Sequence, residues 1–179
     1  MTDEPHLIER LRAGDRAALE QMIRQHQPMV IRLVHRLTGW SDETEDLVQE
    51  TFVAAMKSIR RFAGGSRLST WLTRIAINTC RQHHRTRLIR LKYWKKWMSG
   101  AVEAEHQDAS QSAQQRESAQ QVHRTVWRLK RAYREVIVLH YLEEMPVEEM
   151  TNVLGLSRSA VEVRLHRARK ILKEDLEQM

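Results

Sequence analysis

The sequence predicts an all-α protein: two small helical domains joined by a flexible linker. Three observations carry that prediction. Glycine and proline are scarce, six and three in 179 residues, and few runs combine β-branched residues with period-two alternation. Apolar residues instead recur every three or four positions, the signature of amphipathic helices. Between two such patterned regions lies Ser99–Ser118, rich in Ser, Gln, Ala and Glu, where Val102 is the only apolar residue larger than alanine. Such a stretch cannot bury enough surface to offset its ordering entropy and reads as a linker. The domains implied are residues 1–98 and 119–179, with the linker at 99–118.

The first domain builds up helix by helix. Leu7–Ala13 forms a short helix stopped at Gly14. Asp15 can cap the next, which turns Leu19, Met22 and Ile23 to one face. Pro28 starts or kinks a following helix with Met29, Val30, Leu33, Val34 and Leu37 inward, ended by Gly39. A third helix begins near Asp42, where acids suit the positive end of the helix dipole, and runs through Leu47, Val48, Phe52, Ala55, Met56 and Ile59 to Arg61. Phe62–Leu68 is a loop, since adjacent glycines and a serine interrupt the period. Ser69 or Thr70 can cap a fourth helix, with Trp71, Leu72, Ile75, Ala76 and Thr79 or Cys80 inward. That helix continues into a basic run.

Helical patterning returns after the linker with Val122, Val126, Leu129, Val136, Ile137, Leu139, His140 and Leu142, and Pro146 separates this segment from the end of the chain. The closing stretch Val147–Leu172 reads as helix, turn and helix. Val147, Met150, Val153 and Leu154 share a face, Gly155 stops the helix, and Leu156 tucks into the joint. Ser157 is a good N-cap for the second helix; Ser159 with Glu162 is a competing capping-box start. Val161, Leu165, Ala168 and Leu172 face inward, while Arg158, Arg164, Arg167, Arg169, Lys170 and Lys173 occupy the other faces. This arrangement suits a helix placed in the major groove, the favoured reading; the alternative is an ordinary helical hairpin with a solvated basic face.

Charge narrows the partners. Lys+Arg 30 against Asp+Glu 23 gives a net charge of +7, which suits a polyanion without identifying one. Ser41–Glu50 holds five acids and no base, whereas Cys80–Trp97 holds seven Lys or Arg and no acid. Cys80 is the only cysteine, so an internal disulfide and a cysteine-based zinc site are excluded. His83-His84 offers no metal site, because adjacent helical residues point apart. The opening MTDEPHLIER has no signal-peptide pattern and no apolar run reaches membrane-spanning length, which predicts a cytoplasmic protein with no membrane insertion. No paired carboxylates, nucleophile–base set or phosphate-binding glycine loop points to an enzyme.

Two separate stretches carry a family resemblance. Asp46-Leu47-Val48-Gln49-Glu50-Thr51-Phe52, Arg61-Phe62, and Ser69-Thr70-Trp71-Leu72 followed by Arg74-Ile75-Ala76 and Asn78 resemble region 2 of the extracytoplasmic-function (ECF) sigma factors of the sigma-70 family. Arg134-Glu135-Val136, Tyr141-Leu142, Val147-Glu148-Glu149 and Leu165-His166-Arg167-Ala168-Arg169-Lys170 resemble their region 4. The order of the two, the linker and the length agree, and two ordered motifs are more specific than a lone helix-turn-helix.

The resemblance implies a transcription initiation factor that binds core RNA polymerase and reads the −35 and −10 promoter elements. It implies opening of the duplex at the second element, with no cofactor and no covalent catalysis. Its partners would be core polymerase, double-stranded promoter DNA and the unpaired non-template strand, together with an anti-sigma protein that can hold the free form inactive. No residue here specifies that last partner.

Residue by residue, Asp46, Gln49, Glu50 and Thr51 match the segment that docks on the polymerase; by period alone they are a solvated acidic face. Phe62, Ser66, Arg67, Trp71, Arg74 and Asn78 match the part that captures the unpaired −10 base. A glycine-rich loop beside aromatics suits an extruded base, but Phe62 and Trp71 equally suit a core, and Asn78 a surface or capping amide. Arg81 and Arg85, with Arg87 and Arg90 beyond them, would contact phosphate. Tyr93, Trp94 and Trp97 among Lys92, Lys95 and Lys96 fit stacking, partner docking or a membrane-surface helix.

For the −35 element the matching positions are Arg158, Ser159, Glu162, Val163, Arg164, His166, Arg167 and Arg169. Arg164 fits a structural role as well as a phosphate contact. Glu162 and Val163 depart from a commoner basic residue and serine, and could read cytosine and a thymine methyl. Lys130 departs from a frequent proline. Two rivals remain: a conventional helix-turn-helix regulator, which leaves the acidic helix unexplained, and a dedicated partner-binding protein, which leaves the basic helix unexplained.

Overall fold

The computed structural model describes residues 4–39, 43–97 and 125–177, without the side chains of 88–97 and 176. Every described element is helical. Asp42, Val122, the linker at 99–118, and the side chains of Arg90 and of the Tyr93–Trp97 run lie outside the described part.

Helix α1 (Glu4–Arg12) buries Leu7, Ile8 and Leu11. Asp15 then caps α2 (Arg16–Thr38), its carboxylate accepting from the Ala17 and Ala18 amides at 2.8 and 3.4 Å. Pro28 does not start a new helix: α2 runs through it for 23 residues. A proline costs one backbone bond there. Met22, Val30, Leu33, Val34 and Leu37, all buried on α2, offset that loss. Gly39 ends α2 with φ 73°, and its amide returns to the His35 carbonyl. A Cβ at Gly39 would also lie 2.8 Å from the ring of Trp127, so backbone and packing both require glycine there.

Helix α3 (Thr44–Ser58) turns Leu47, Val48, Phe52 and Ala55 into the core and ends in a 3₁₀ turn, Ile59–Arg61. Met56, expected inward, is 48% exposed. Helix α4 (Leu68–Trp97) buries Leu68, Leu72, Ala76, Ile77 and Cys80 against α2 and α3. Neither Ser69 nor Thr70 is its cap. The helix begins at Leu68, whose amide donates to the carboxylate of Glu4 at 2.7 Å, so α1 satisfies an orphan donor at the start of α4.

The second half begins with one helical turn at 125–128 and breaks at Lys130, which is extended at ψ 140°. Next come α5 (Arg131–Ile137), a π-helical turn (Val138–Leu142), α6 (Val147–Leu154) and α7 (Arg158–Glu177). Val136, Ile137, Val138 and Leu139 are buried, but Leu142 is on the surface. Gly155 takes φ 68° with its amide on the Thr151 carbonyl. Ser157 wins the competition for the cap of α7, its hydroxyl accepting from the Ala160 amide at 3.2 Å. The two halves touch: α6 lies on α4 and α5 on α2.

Candidate polymerase and nucleic-acid interfaces

The first surface is the acidic face of α3. Glu45, Asp46, Gln49 and Glu50 are exposed because Leu47, Val48, Thr51 and Phe52 take the opposite side. Thr51 is fully buried, its hydroxyl bound to the Leu47 carbonyl at 2.7 Å, so it supports this face from below. Beside the acids runs a groove between α2 and α3, where Val53 and Met56, 43% and 48% exposed, join Ile23 and Ile31 next to Gln49. The acids of α3 thus stand beside partly exposed apolar side chains, not on a wholly polar helix face. The helical period alone puts Met56 in the core and gives Val53 no role. Their signal in the sequence is an apolar pair on the flank that the acids leave open.

The second surface is the loop before α4 and the outer face of that helix. Phe62 is buried and packs on half-buried Trp71, ring centroids 4.9 Å apart at 36°. The donor that fixes the loop's entry is Arg12, bonded to the Phe62 carbonyl. Gly64 takes φ 76°, with nothing near where a side chain would stand at Gly64 or Gly65, and Ser66 and Arg67 follow on the open side. Arg74, Asn78 and Arg85 are exposed on α4. Together with Arg81 they are spaced i, i+4, i+7, i+11, one stripe along the helix.

Arg81 is the exception on that stripe. Its guanidinium makes two bonds to the Glu135 carboxylate of α5, Nε–Oε1 3.0 Å and Nη2–Oε2 2.7 Å. That hydrogen bonding pushes the Arg81 pKa up. Burial first, and the Glu135 charge second, push the Cys80 thiol up to about 12, which leaves it an inert core group. Arg87 lies 3.9 Å from Glu43, and the same carboxylate faces His83 at 3.5 Å.

The third surface is α7. Val161, Leu165 and Ala168 are buried under α5 and α6, so the helix presents Arg158, Ser159, Glu162, Val163, His166, Arg167 and Arg169 to solvent. Arg164 is half-buried. Arg158 bridges two acids, Glu148 of α6 at 2.7 Å and Glu162 at 2.9 Å, which raise its pKa, the Glu162 bond most. Arg169 leans back toward the Leu165 carbonyl at 3.4 Å. Val163 stands 47% exposed among these cations, an apolar spot on a polar face. Among the described residues no helix is long and apolar enough to cross a membrane.

The geometry can be set beside known proteins. The family model described as Sigma-70 region 2 matches residues 22–88, and that described as Sigma-70, region 4 matches residues 119–172. The RNA polymerase sigma-H factor of Pseudomonas aeruginosa is 28% identical, over 97% of this chain and 94% of its own. The ECF RNA polymerase sigma factor SigW of Bacillus subtilis is 27% identical over 94% of each. Among solved structures, CnrH in complex with the cytosolic domain of CnrY superposes with a TM-score of 0.70, at 28% identity over 98% of this chain and 97% of that one.

Proposed function

This chain belongs to the sigma-70 family as an extracytoplasmic-function sigma factor, and from that premise we propose how its surfaces divide the work. It acts in the cytoplasm as a transcription initiation factor, without catalysis of its own. Residues 1–98 dock on core RNA polymerase through Asp46, Gln49 and Glu50, with Thr51 behind them. The same domain engages the −10 element through the loop and the α4 stripe. Residues 119–179 read the −35 element with α7. Residues 99–118 join them.

The chemistry follows from the residue types. Exposed arginines on α4 neutralise phosphate and add affinity that falls steeply with salt but carries no sequence information. Ser66 and Arg67 beside the glycine loop, and Asn78 farther along α4, would hydrogen-bond an unpaired base, with Trp71 and Phe62 as an apolar floor next to the loop. On α7, Arg158 and Arg167 suit guanine, and Val163 suits a thymine methyl. An anti-sigma protein completes the partner set; CnrH, one of the similar solved structures, was seen with the cytosolic domain of CnrY.

The observation that carries this reading is the pairing of two regions in one order: an exposed acidic face beside an apolar groove, then a helix-turn-helix with a solvent-facing basic helix. Its test is binding of the purified protein to core polymerase, beside a variant combining Asp46→Lys and Glu50→Lys. Tight wild-type binding weakened on the order of tenfold or more is the expected outcome. If the wild type ignores core polymerase while binding a specific duplex alone, the chain is a conventional regulator.

A further inference from the structure

We propose that α1 is the support of the glycine loop: Glu4 and Arg12 hold the loop's two ends, and through them this helix sets how tightly the loop takes an unpaired base. The use of the loop rests on the sigma-factor reading; its support rests on the packing.

The loop is anchored at its ends and open between them. Phe62 and Leu68 are buried, 4% and 0% exposed, while Ala63, Gly64, Gly65 and Arg67 stand in solvent. Ser66 reaches only as far as the neighbouring Arg67 carbonyl, at 3.4 Å. The Phe62 amide returns to Ile59 in the turn before the loop, and the Arg67 carbonyl accepts from Trp71 in the helix after it. Adjacent glycines without bonds across the loop leave its middle many conformations.

Two further bonds reach the loop, and among the described residues both come from α1. Arg12, the last residue of that helix, donates to the Phe62 carbonyl. Glu4, its first residue, accepts from the Leu68 amide at 2.7 Å. One short helix therefore grips both sides of the open segment. It is itself fixed, because Leu7, Ile8 and Leu11 are buried and it packs on α2 and on the turn Ile59–Arg61.

Neither bond is needed merely to finish a helix. Nearby hydroxyls could cap α4, yet the acceptor comes from 64 positions away. Its carboxylate also suits the positive end of α4. Arg12 makes its bond while its Nε is buried without a partner, a cost that a residue serving only to pack would avoid.

The consequence follows from preorganisation. A base hydrogen-bonded within a loop needs that loop in one conformation, and affinity falls with the fraction of molecules that hold it. Phosphate contacts along α4 do not depend on the loop. Loosening the loop therefore weakens binding only of a strand that has a base to capture. Glu4 and Arg12 are positioning residues, acting through Leu68 and Phe62.

The test uses the full-length protein and the variants Glu4→Ala, Glu4→Gln and Arg12→Met. Glutamine keeps an acceptor for the Leu68 amide; methionine keeps an apolar stem and removes the partnerless nitrogen. Loop mobility in the free protein is read from a nitroxide on Ala63→Cys in a Cys80→Ala background. Its spectrum should narrow in Glu4→Ala and Arg12→Met and stay near wild type in Glu4→Gln. Base capture is read on the holoenzyme with core polymerase, using a single DNA strand that the wild type selects from a random pool. The same strand with an abasic site at its most strongly selected position is the control. Glu4→Ala and Arg12→Met should bind the intact strand about five- to tenfold more weakly, and Glu4→Gln within about twofold of wild type. All four proteins should bind the abasic strand and core polymerase equally. A spectrum unchanged in Glu4→Ala and Arg12→Met, or equal losses on the intact and abasic strands, overturns the proposal. Failure of the wild type to bind core polymerase, with the spectrum still responding, overturns the sigma-factor reading and leaves α1 as the support of the loop.

Discussion

The seam between the halves and the outer face of α7 are both rich in arginine, and they use it in opposite ways. At the seam, Arg134 lies 3.7 Å over the Trp127 ring and donates to the carbonyls of Leu37, Trp127 and Leu129. Burial pulls its pKa down to about 10. Arg36 and Arg81 there have carboxylate partners. On α7, Arg167 and Arg169 stand in solvent, and Arg158 stays exposed even with Glu148 and Glu162 beside it. A net charge of +7 therefore misstates the surface available to a polyanion, because part of the positive charge is internal fastening. An arginine becomes structural when folding brings it acceptors and a desolvating neighbour, and stays functional when it does not.

The sharpest way to break that distinction is Arg134→Ala. Removing a half-buried guanidinium from three carbonyls and an aromatic face should cost about 2–3 kcal/mol. Thermal denaturation would show it as a fall of roughly 4–12 °C for a chain of this size. An unchanged melting temperature would mean that the seam does not hold the halves.

Arg167→Ala should do the reverse. On a −35 duplex its affinity should drop by about ten- to a hundredfold, as for one lost base contact. The melting temperature should hold, since an exposed substitution moves stability by about 0.5 kcal/mol or less.

Arg81 and Arg85 make the finer comparison, because they share one stripe but not one partner. Arg85→Ala should lower the salt dependence of DNA binding by about one unit of slope and leave stability alone. Arg81→Ala should do that and also lower stability by about 1–2 kcal/mol, since Glu135 stays buried with Arg131 as its remaining cation. Equal stability of the two variants would mean that the Arg81–Glu135 fork contributes nothing.

The smallest expected effect is on acidification. Burial lowers the pKa of His26, His35 and His84, with Arg131 next in lowering His84. With folded values below the unfolded ones, the unfolded chain takes up protons first as pH falls through about 6.5. The stabilisation from neutral histidine is therefore present above that pH and lost below it. Melting curves at pH 7.5 and 5.5 should differ in that direction, the protein melting lower at pH 5.5, and His26→Gln should narrow the gap.

What the sequence determined by itself was whatever a few neighbouring residues decide. The all-α class came from apolar spacing, the start of α2 from Asp15, and the helix-turn-helix from Gly155 and Ser157, since a helix stop and an N-cap are settled within about four residues. The exposed positions Asp46, Gln49, Glu50, Arg158 and Arg167 came from the same period. Ambiguity remained where local signals competed, as between Ser157 and Ser159.

The tertiary structure alone decided what depends on residues far apart in the chain. Glu4 caps Leu68 across 64 positions, displacing the two hydroxyls that local chemistry favours. Glu135 reaches Arg81 across 54, and Glu149 reaches Thr70 across 79. Whether Phe62 and Thr51 go into the core while Met56 stays out depends on which neighbouring helix covers each face, and period fixes a face only to within one position on either side. Pro28 inside α2 has the same cause, because packing of the surrounding apolar residues outweighs one missing backbone bond. Local rules act through bonds that exist before folding; these contacts exist only after the chain has returned on itself.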